Sequence, residues 1–417
     1  MRHNSRPTSP ARRPWLLPLT LVSVGALGWA CEDGGPGMED ADGASTSSAS
    51  QRAVLRSVAD NVLVPSTAQF ATRSAALQVA VQQYADAVAA GSADIDETLA
   101  AAQLAWRETM SQWQQLEVMQ VGPAASSLVG PGGEAMRDAI YSWPTADSCS
   151  VDRALANEDF LAADFFATEL AWTYGLDAME YLLFSASDAH TCPAQVQLDG
   201  PWASLDADAL RLRRAAYANV VAAGVADDAA ALAQRWSPDG DDFAELLAEP
   251  GVGDSPYGSE SEALDELFRA IFYLDKVTKD GKLGLPLGLI EGCPTAPCDS
   301  LMETPWSGAA APAVLANLQG LRLMIQGGPD ADAADGFDDL LQEAGQGQVA
   351  RTLLTQLEAA IAAAEAFDQP LQDAVTSTPE DVTKLHDSIK AVTDTLKGPF
   401  VIALMLTIPA EGAGDAD

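Results

Sequence analysis

An all-α fold of two packed helical bundles is the predicted architecture, and three observations lead to it. Ala, Leu, Gln and Glu dominate most of the chain, and alternating β-branched runs are almost absent. Apolar residues recur at helical spacing in block after block. The 417 residues leave about 390 beyond the leader, a length that suits two domains.

The leader, residues 1–30, reads as an export signal. Arg2, Arg6, Arg12 and Arg13 form a basic start, and the apolar run from Trp15 to Ala30 is too short for a stable membrane span. It ends in Leu27-Gly28-Trp29-Ala30-Cys31, a small residue before a cysteine, which resembles a lipoprotein acylation site with Gly28 where leucine is usual. The reading is lipidation at Cys31, the lipid holding the protein to a membrane; an ordinary signal peptide with a chance cysteine is the alternative. Residues 31–52 form a Gly/Ser/Asp-rich acidic tether without the apolar side chains a core needs. Glu32 is not the Asp that commonly marks inner-membrane retention, so the outer membrane is favoured.

The first bundle is expected over 53–190. Val54, Val58, Val62, Leu77, Val81, Tyr84 and Val88 give a helical stripe across 53–90, with Pro65 as a break or kink. A second helix over 95–120 offers Leu99, Leu104, Trp106, Met110, Trp113 and Leu116 as its buried side, and Gly122-Pro123 ends it. A loop-rich insertion spans 122–158, and a further helix covers about 159–185. The Pro/Asp-rich stretch 187–207 reads as the connection to a second bundle over 208–408. That bundle's helices are expected at 208–236, 260–279, 309–327, 347–367 and 379–397, punctuated by Gly/Pro loops. The nine-residue apolar run Phe400–Ile408 reads as a docked helix.

Apart from Cys31, four cysteines remain: Cys149, Cys192, Cys293 and Cys298. An even count in an exported chain points to two disulfides, and three pairings are open. Cys293 with Cys298, a local staple in a Pro-rich loop, and Cys149 with Cys192 are the favoured pairs. A zinc cluster is disfavoured because close C-x-x-C pairs are lacking. The chain carries 23 basic and 60 acidic residues, a net charge of −37, which disfavours nucleic acid and anionic lipid surfaces as partners.

Chemistry concentrates in 169–185, ELAWTYGLDAMEYLLFS, an apolar segment interrupted by Asp177 and Glu180. Their i, i+3 spacing puts both carboxylates on one helix face. Buried carboxylates need a cation, an arginine partner or a raised pKa. Three readings follow: metal or substrate ligands lining an inter-domain cleft, a structural salt bridge to Arg107, Arg137 or Arg153, or a solvated face.

Gly175-Leu176-Asp177-Ala178-Met179-Glu180, followed by an apolar run, resembles the G-x-H-x-x-E signature of the imelysin-like proteins. Other blocks follow in order. Trp106-Arg107 through Trp113, Glu117 and Gly122-Pro123 resembles the family's Trp-rich helix, and Trp143-Pro144 its W-P element. Residues 267–287 and 303–321 resemble the blocks carrying K-L-G-x-P-x-G and P-W-S…N-L-x-G. The resemblance, over about 53–408, implies two helical bundles with a site between them, in an envelope protein linked to iron acquisition that carries a peptidase label. By position Glu180 takes the motif glutamate and Glu117 that of the Trp-rich helix, while Asp177 replaces the motif histidine.

Without that histidine a zinc hydrolase is disfavoured: His190 and His386 are the histidines beyond the leader, and they form no H-E-x-x-H arrangement. Asp177, Glu180 and Glu117 remain as an oxygen-only set suited to hard cations, a divalent ion or iron. The expected function is therefore a lipid-anchored protein binding a cation or cation-bearing ligand, with an iron-uptake partner. A metallopeptidase and a non-catalytic scaffold are the alternatives. The Asp-rich loop 330–336 fails the EF-hand pattern and reads as solvated.

Overall fold

The computed structural model describes residues 46–409. The signal segment 1–30, the acylation site Cys31 and most of the 31–52 tether lie outside the described residues. Among those described, helices and connecting loops make up the whole architecture, with no strand.

Helix α1 (Ser48–Val58) runs through one π-turn (Ala59–Leu63) into α2 (Val64–Ala90). Pro65 breaks nothing because it follows directly on the π-turn, whose wider winding accommodates a residue with no N–H to donate. Helix α3 (Ile95–Leu116) packs on α2 with Trp106, Met110 and Trp113 inward. Leu104, expected on that face, is 59% exposed, since the buried stripe follows Ala102, Trp106, Thr109 and Trp113 instead.

Past α4 (Ser148–Asn157), the helix expected over 159–185 is broken into short turns at 159–161, 165–168 and 171–173. Only α5 (Gly175–Phe184) is regular there, and Leu170 is exposed. Helix α6 (Ala207–Trp236) then lies along α2. The first bundle thus takes a long helix from beyond the stretch expected to divide the domains, and the packing does not divide at 187–207.

Helix α7 (Glu260–Ile271) leads into eleven residues wound as a π-helix, Leu274–Gly284. Helices α8 (Ala310–Gln326), α9 (Phe337–Glu343), α10 (Gly347–Glu365) and α11 (Pro379–Thr395) build the second bundle. A π-turn, Leu396–Phe400, and the short Val401–Leu404 helix end the run. Phe400 stacks on Phe268, with ring centroids 5.7 Å apart, and so seats the terminal apolar segment. Ile402 and Met405 of that segment face outward.

Helix α8 also touches α3, and a glycine permits it: a Cβ on Gly320 would stand 2.4 Å from the carbonyl oxygen of Gln115. One hydrophobic core runs through both bundles. The disulfides are the favoured pairs, Cys149–Cys192 and Cys293–Cys298.

Candidate functional site

Helix α5 enters the core through Gly175, whose φ of 92° is a conformation side chains resist. A Cβ there would also meet the Ile140 carbonyl oxygen at 2.9 Å, so the motif glycine is where backbone crosses backbone. The Trp106 indole donates to the Leu176 carbonyl at 2.8 Å, fixing the first turn against α3. Asp177 and Glu180 are then carried inward, 6% and 2% exposed, which excludes the solvated-face reading.

Each carboxyl is held by neutral donors. The Ser142 hydroxyl donates to Asp177 Oδ2, while Asp177 Oδ1 is buried without a hydrogen-bond partner. Glu180 Oε1 accepts the backbone N–H groups of Trp306 at 3.2 Å and Ser307 at 2.7 Å. Burial dominates those donors. It pushes Asp177 up to about 6 and Glu180 up to about 8, the latter with help from the nearby Glu303 charge.

None of the expected arginines forms an ion pair with Asp177 or Glu180, although the Glu180 charge is felt at Arg107. Arg153 is exposed, and Arg107 lies with its guanidinium 4.8 Å from the Phe184 ring centroid. Arg137 is committed to Glu117, with Nη2 3.3 Å from Oε2, and donates to the Trp143 carbonyl at 2.8 Å. The salt-bridge reading, one of the three, finds no ion pair at Asp177 or Glu180; Arg137 instead pairs with Glu117, fully buried at the end of α3.

Behind Glu180 lies a polar network that sequence reasoning did not single out. Lys282, fully buried, pairs with Glu303 at 3.1 Å. Its ammonium also donates to Gln114 Oε1 and, at 2.8 Å, to Asn317 Oδ1. Glu303 Oε1 accepts from Tyr141 at 2.7 Å and from Gln114 at 3.1 Å. Asn317 in turn donates to the Gln114 carbonyl at 2.6 Å and accepts from Thr278 at 3.0 Å. Burial holds the Lys282 ammonium below its ordinary range, opposed by Glu303, and raises the Tyr141 hydroxyl well above its own.

The available signal lay in the blocks 267–287 and 303–321, where Thr278, Lys282, Glu303 and Asn317 stand. Thr278 and Lys282, four residues apart on one side of the π-wound stretch, meet at Asn317, which lies 35 residues beyond Lys282 and is brought there only by the fold.

The outer wall of the site is aromatic. Tyr181 meets Trp306 edge to face, centroids 4.9 Å apart, and donates to Asp152 at 2.8 Å. Asp152 also accepts the N–H and hydroxyl of Thr191, beside the Cys149–Cys192 bridge. Between Trp172, Trp306 and Asp177 a narrow crevice of about 10 Å³ remains, room for one water molecule.

Among the described residues no three His, Cys, Asp or Glu side chains stand close enough to hold a metal ion. Asp177, Glu180 and Glu117 therefore do not form the single oxygen-only ligand set expected: Glu117 faces Arg137, whereas the other two share one helix face without it. The histidines are also apart from that face. His190 packs edge-on against Trp202, and His386 contacts Asp387. The site can exchange protons near neutral pH and can neutralise a cationic group placed at the α5 face. It offers no imidazole ligand for a zinc-bound water.

The model of the imelysin family matches residues 63–397. A solved structure of a candidate iron-regulated protein A precursor from Parabacteroides distasonis superposes with a TM-score of 0.67 at 18% identity, covering 88% of this chain and 97% of that one. An imelysin-like protein from Psychrobacter arcticum gives 0.65 at 18% identity, covering 88% and 99%. No curated protein matches the chain in sequence.

Proposed function

The chain belongs to the imelysin family, and from that premise we propose that it is an exported, lipid-anchored envelope protein that binds a cationic ligand at the Asp177/Glu180 face in the service of iron acquisition. The observation that carries the reading is a pair of buried carboxyls one helical turn apart, without a paired basic side chain, one of them with an unsatisfied oxygen beside a crevice. Elsewhere in the same core, buried carboxylates are matched with Arg137 and Lys282. A carboxyl pair left without such a match has capacity for an incoming positive charge.

Two carboxyls alone make an incomplete cage for a bare metal. The occupant this favours is an ammonium group of about the size of the one water the crevice admits, or a metal cation that keeps its other ligands outside the crevice. The anchor rests on the basic leader, the short apolar run and Cys31. The iron context rests on the family and on the iron-regulated relative from Parabacteroides distasonis. No helix among the described residues is long and apolar enough to cross a membrane.

The test is calorimetric titration of the chain beginning at residue 46 with calcium, manganese, ferric citrate and putrescine. Saturable binding is expected for at least one, tighter at pH 8.5 than at pH 6 because the carboxyls must lose their protons. Asp177→Asn and Glu180→Gln should each weaken it on the order of tenfold. No saturable binding by any of the four, or unchanged affinity in both variants, would overturn the reading.

A further inference from the structure

The crevice beside Asp177 separates cations by class. Its lining is mostly apolar: the rings of Trp172, Tyr181 and Trp306, with Val151 and Ala178. Two carboxylates border it, Asp177, which is buried, and Asp147, which is exposed. No basic side chain lines it among the described residues.

Most polar groups there are already committed. Asp147 caps α4, accepting the Cys149 N–H at 3.1 Å and the Ser150 hydroxyl at 2.6 Å. The Tyr181 hydroxyl donates to Asp152 at 2.8 Å, so Tyr181 offers the crevice its ring alone. Asp177 is held by neutral donors, the Ser142 hydroxyl among them, and forms no ion pair. It is the buried acid of the lining, and it has no counter-charge.

A calcium or manganese ion takes about six or more oxygen ligands. Here one buried carboxylate faces a space of about 10 Å³, and the ring carbons around it coordinate nothing. An ammonium group asks for less. It is about the size of the one water the space holds, it donates to a single carboxylate, and the electron-rich faces of tryptophan and tyrosine attract it.

Trp306 ties this crevice to the rest of the α5 face. Its backbone N–H donates to Glu180 Oε1 at 3.2 Å. Its ring, 36% exposed, meets Tyr181 edge to face and borders the crevice. One residue therefore covers Glu180 and walls the approach to Asp177.

We propose that the crevice admits the ammonium end of a primary alkylamine, with Asp177 as its counter-charge, Trp172 and Trp306 as its walls, and the alkyl chain leaving along Trp306 to solvent. The inference rests on the cationic-ligand reading above and fixes the ligand class for that same face. A quaternary ammonium is excluded by its bulk and by its lack of N–H donors. A bare metal ion is excluded by the shortage of oxygen ligands.

The test titrates the full chain at pH 8.5 by calorimetry with butylamine, butan-1-ol, tetramethylammonium and manganese. Butylamine should bind saturably, about tenfold or more tighter than tetramethylammonium or manganese, and butan-1-ol should not bind. Asp177→Asn and Trp306→Ala should each weaken butylamine binding on the order of tenfold. Trp306→Phe, which keeps a ring on that wall, should stay within about threefold of the parent. Trp172→Leu should act like Trp306→Ala, and melting curves should show the variants folded.

Manganese binding through Asp177 without butylamine binding overturns the ligand class and leaves the cationic-ligand reading standing. Butylamine affinity unmoved by Trp306→Ala and Trp172→Leu overturns it as well. Absence of saturable binding by butylamine removes this inference, and the wider reading falls with it only if calcium, manganese and ferric citrate also fail to bind.

Discussion

The core of this protein holds two sets of buried carboxyl groups that solve desolvation in opposite ways. Glu117 and Glu303 are each matched with a basic side chain, Arg137 and Lys282, and the spare donors and acceptors around Lys282 are filled by Gln114, Asn317 and Tyr141. Asp177 and Glu180 have only neutral donors, and burial answers by raising their pKa values. In the first, closed set each carboxylate has a counter-charge, and removing Lys282 leaves Glu303 charged with no solvent to receive it. The second set carries its own neutralisation as protons, which a visiting cation can displace. Two carboxyl pairs in one core therefore differ in what they are available to do.

The largest expected effect comes from breaking the closed set. Lys282→Met leaves Glu303 buried beside an apolar chain and should cost about 3–5 kcal/mol in urea unfolding. The double variant Lys282→Met/Glu303→Gln should recover most of that loss. A single variant no less stable than the parent would show that the pair is not the closed unit described.

Glu180→Gln probes the open set through pH. A carboxyl whose folded pKa exceeds its unfolded value binds its proton more tightly in the native state, so its contribution is most favourable below about pH 4.5 and is lost as pH rises through about 8. The variant should therefore gain on the parent across that window, by about 2–4 kcal/mol at pH 8.5 relative to pH 4.5. A constant difference between the two proteins from pH 4.5 to 8.5 would contradict it. Asp177→Asn should act the same way in the narrower window up to about pH 6, by about 1–2 kcal/mol, read from the same unfolding series.

The helical class and most helix positions were legible because long amphipathic helices write their period into the sequence, as α3, α6 and α11 do. So were Asp177 and Glu180, since charge in an apolar run is visible without coordinates. Three things were not. The segment before Gly175 is apolar enough to pass for helix, but it is broken into turns that put Phe165 inside and Leu170 outside. Glu117 reads like Glu180 in one dimension, and only the loop bearing Arg137 assigns it a different role. Lys282 sits in TKDGKLG, a polar stretch that looks solvated until its winding and Asn317 are known.

That winding has a consequence for the way this segment tolerates change in length. The eleven residues of Leu274–Gly284 close i to i+5, so each turn holds nearly one residue more than an α-helix would. That extra residue is slack: losing one would let a turn relax to ordinary pitch, and the residues beyond it would keep their facing. Thr278 and Lys282 would then stand three apart instead of four, still on the side that faces Asn317. A substitution at those positions removes a group, whereas a one-residue deletion between them is taken up by the winding, so the segment behaves as a store of slack between α7 and the loop before α8.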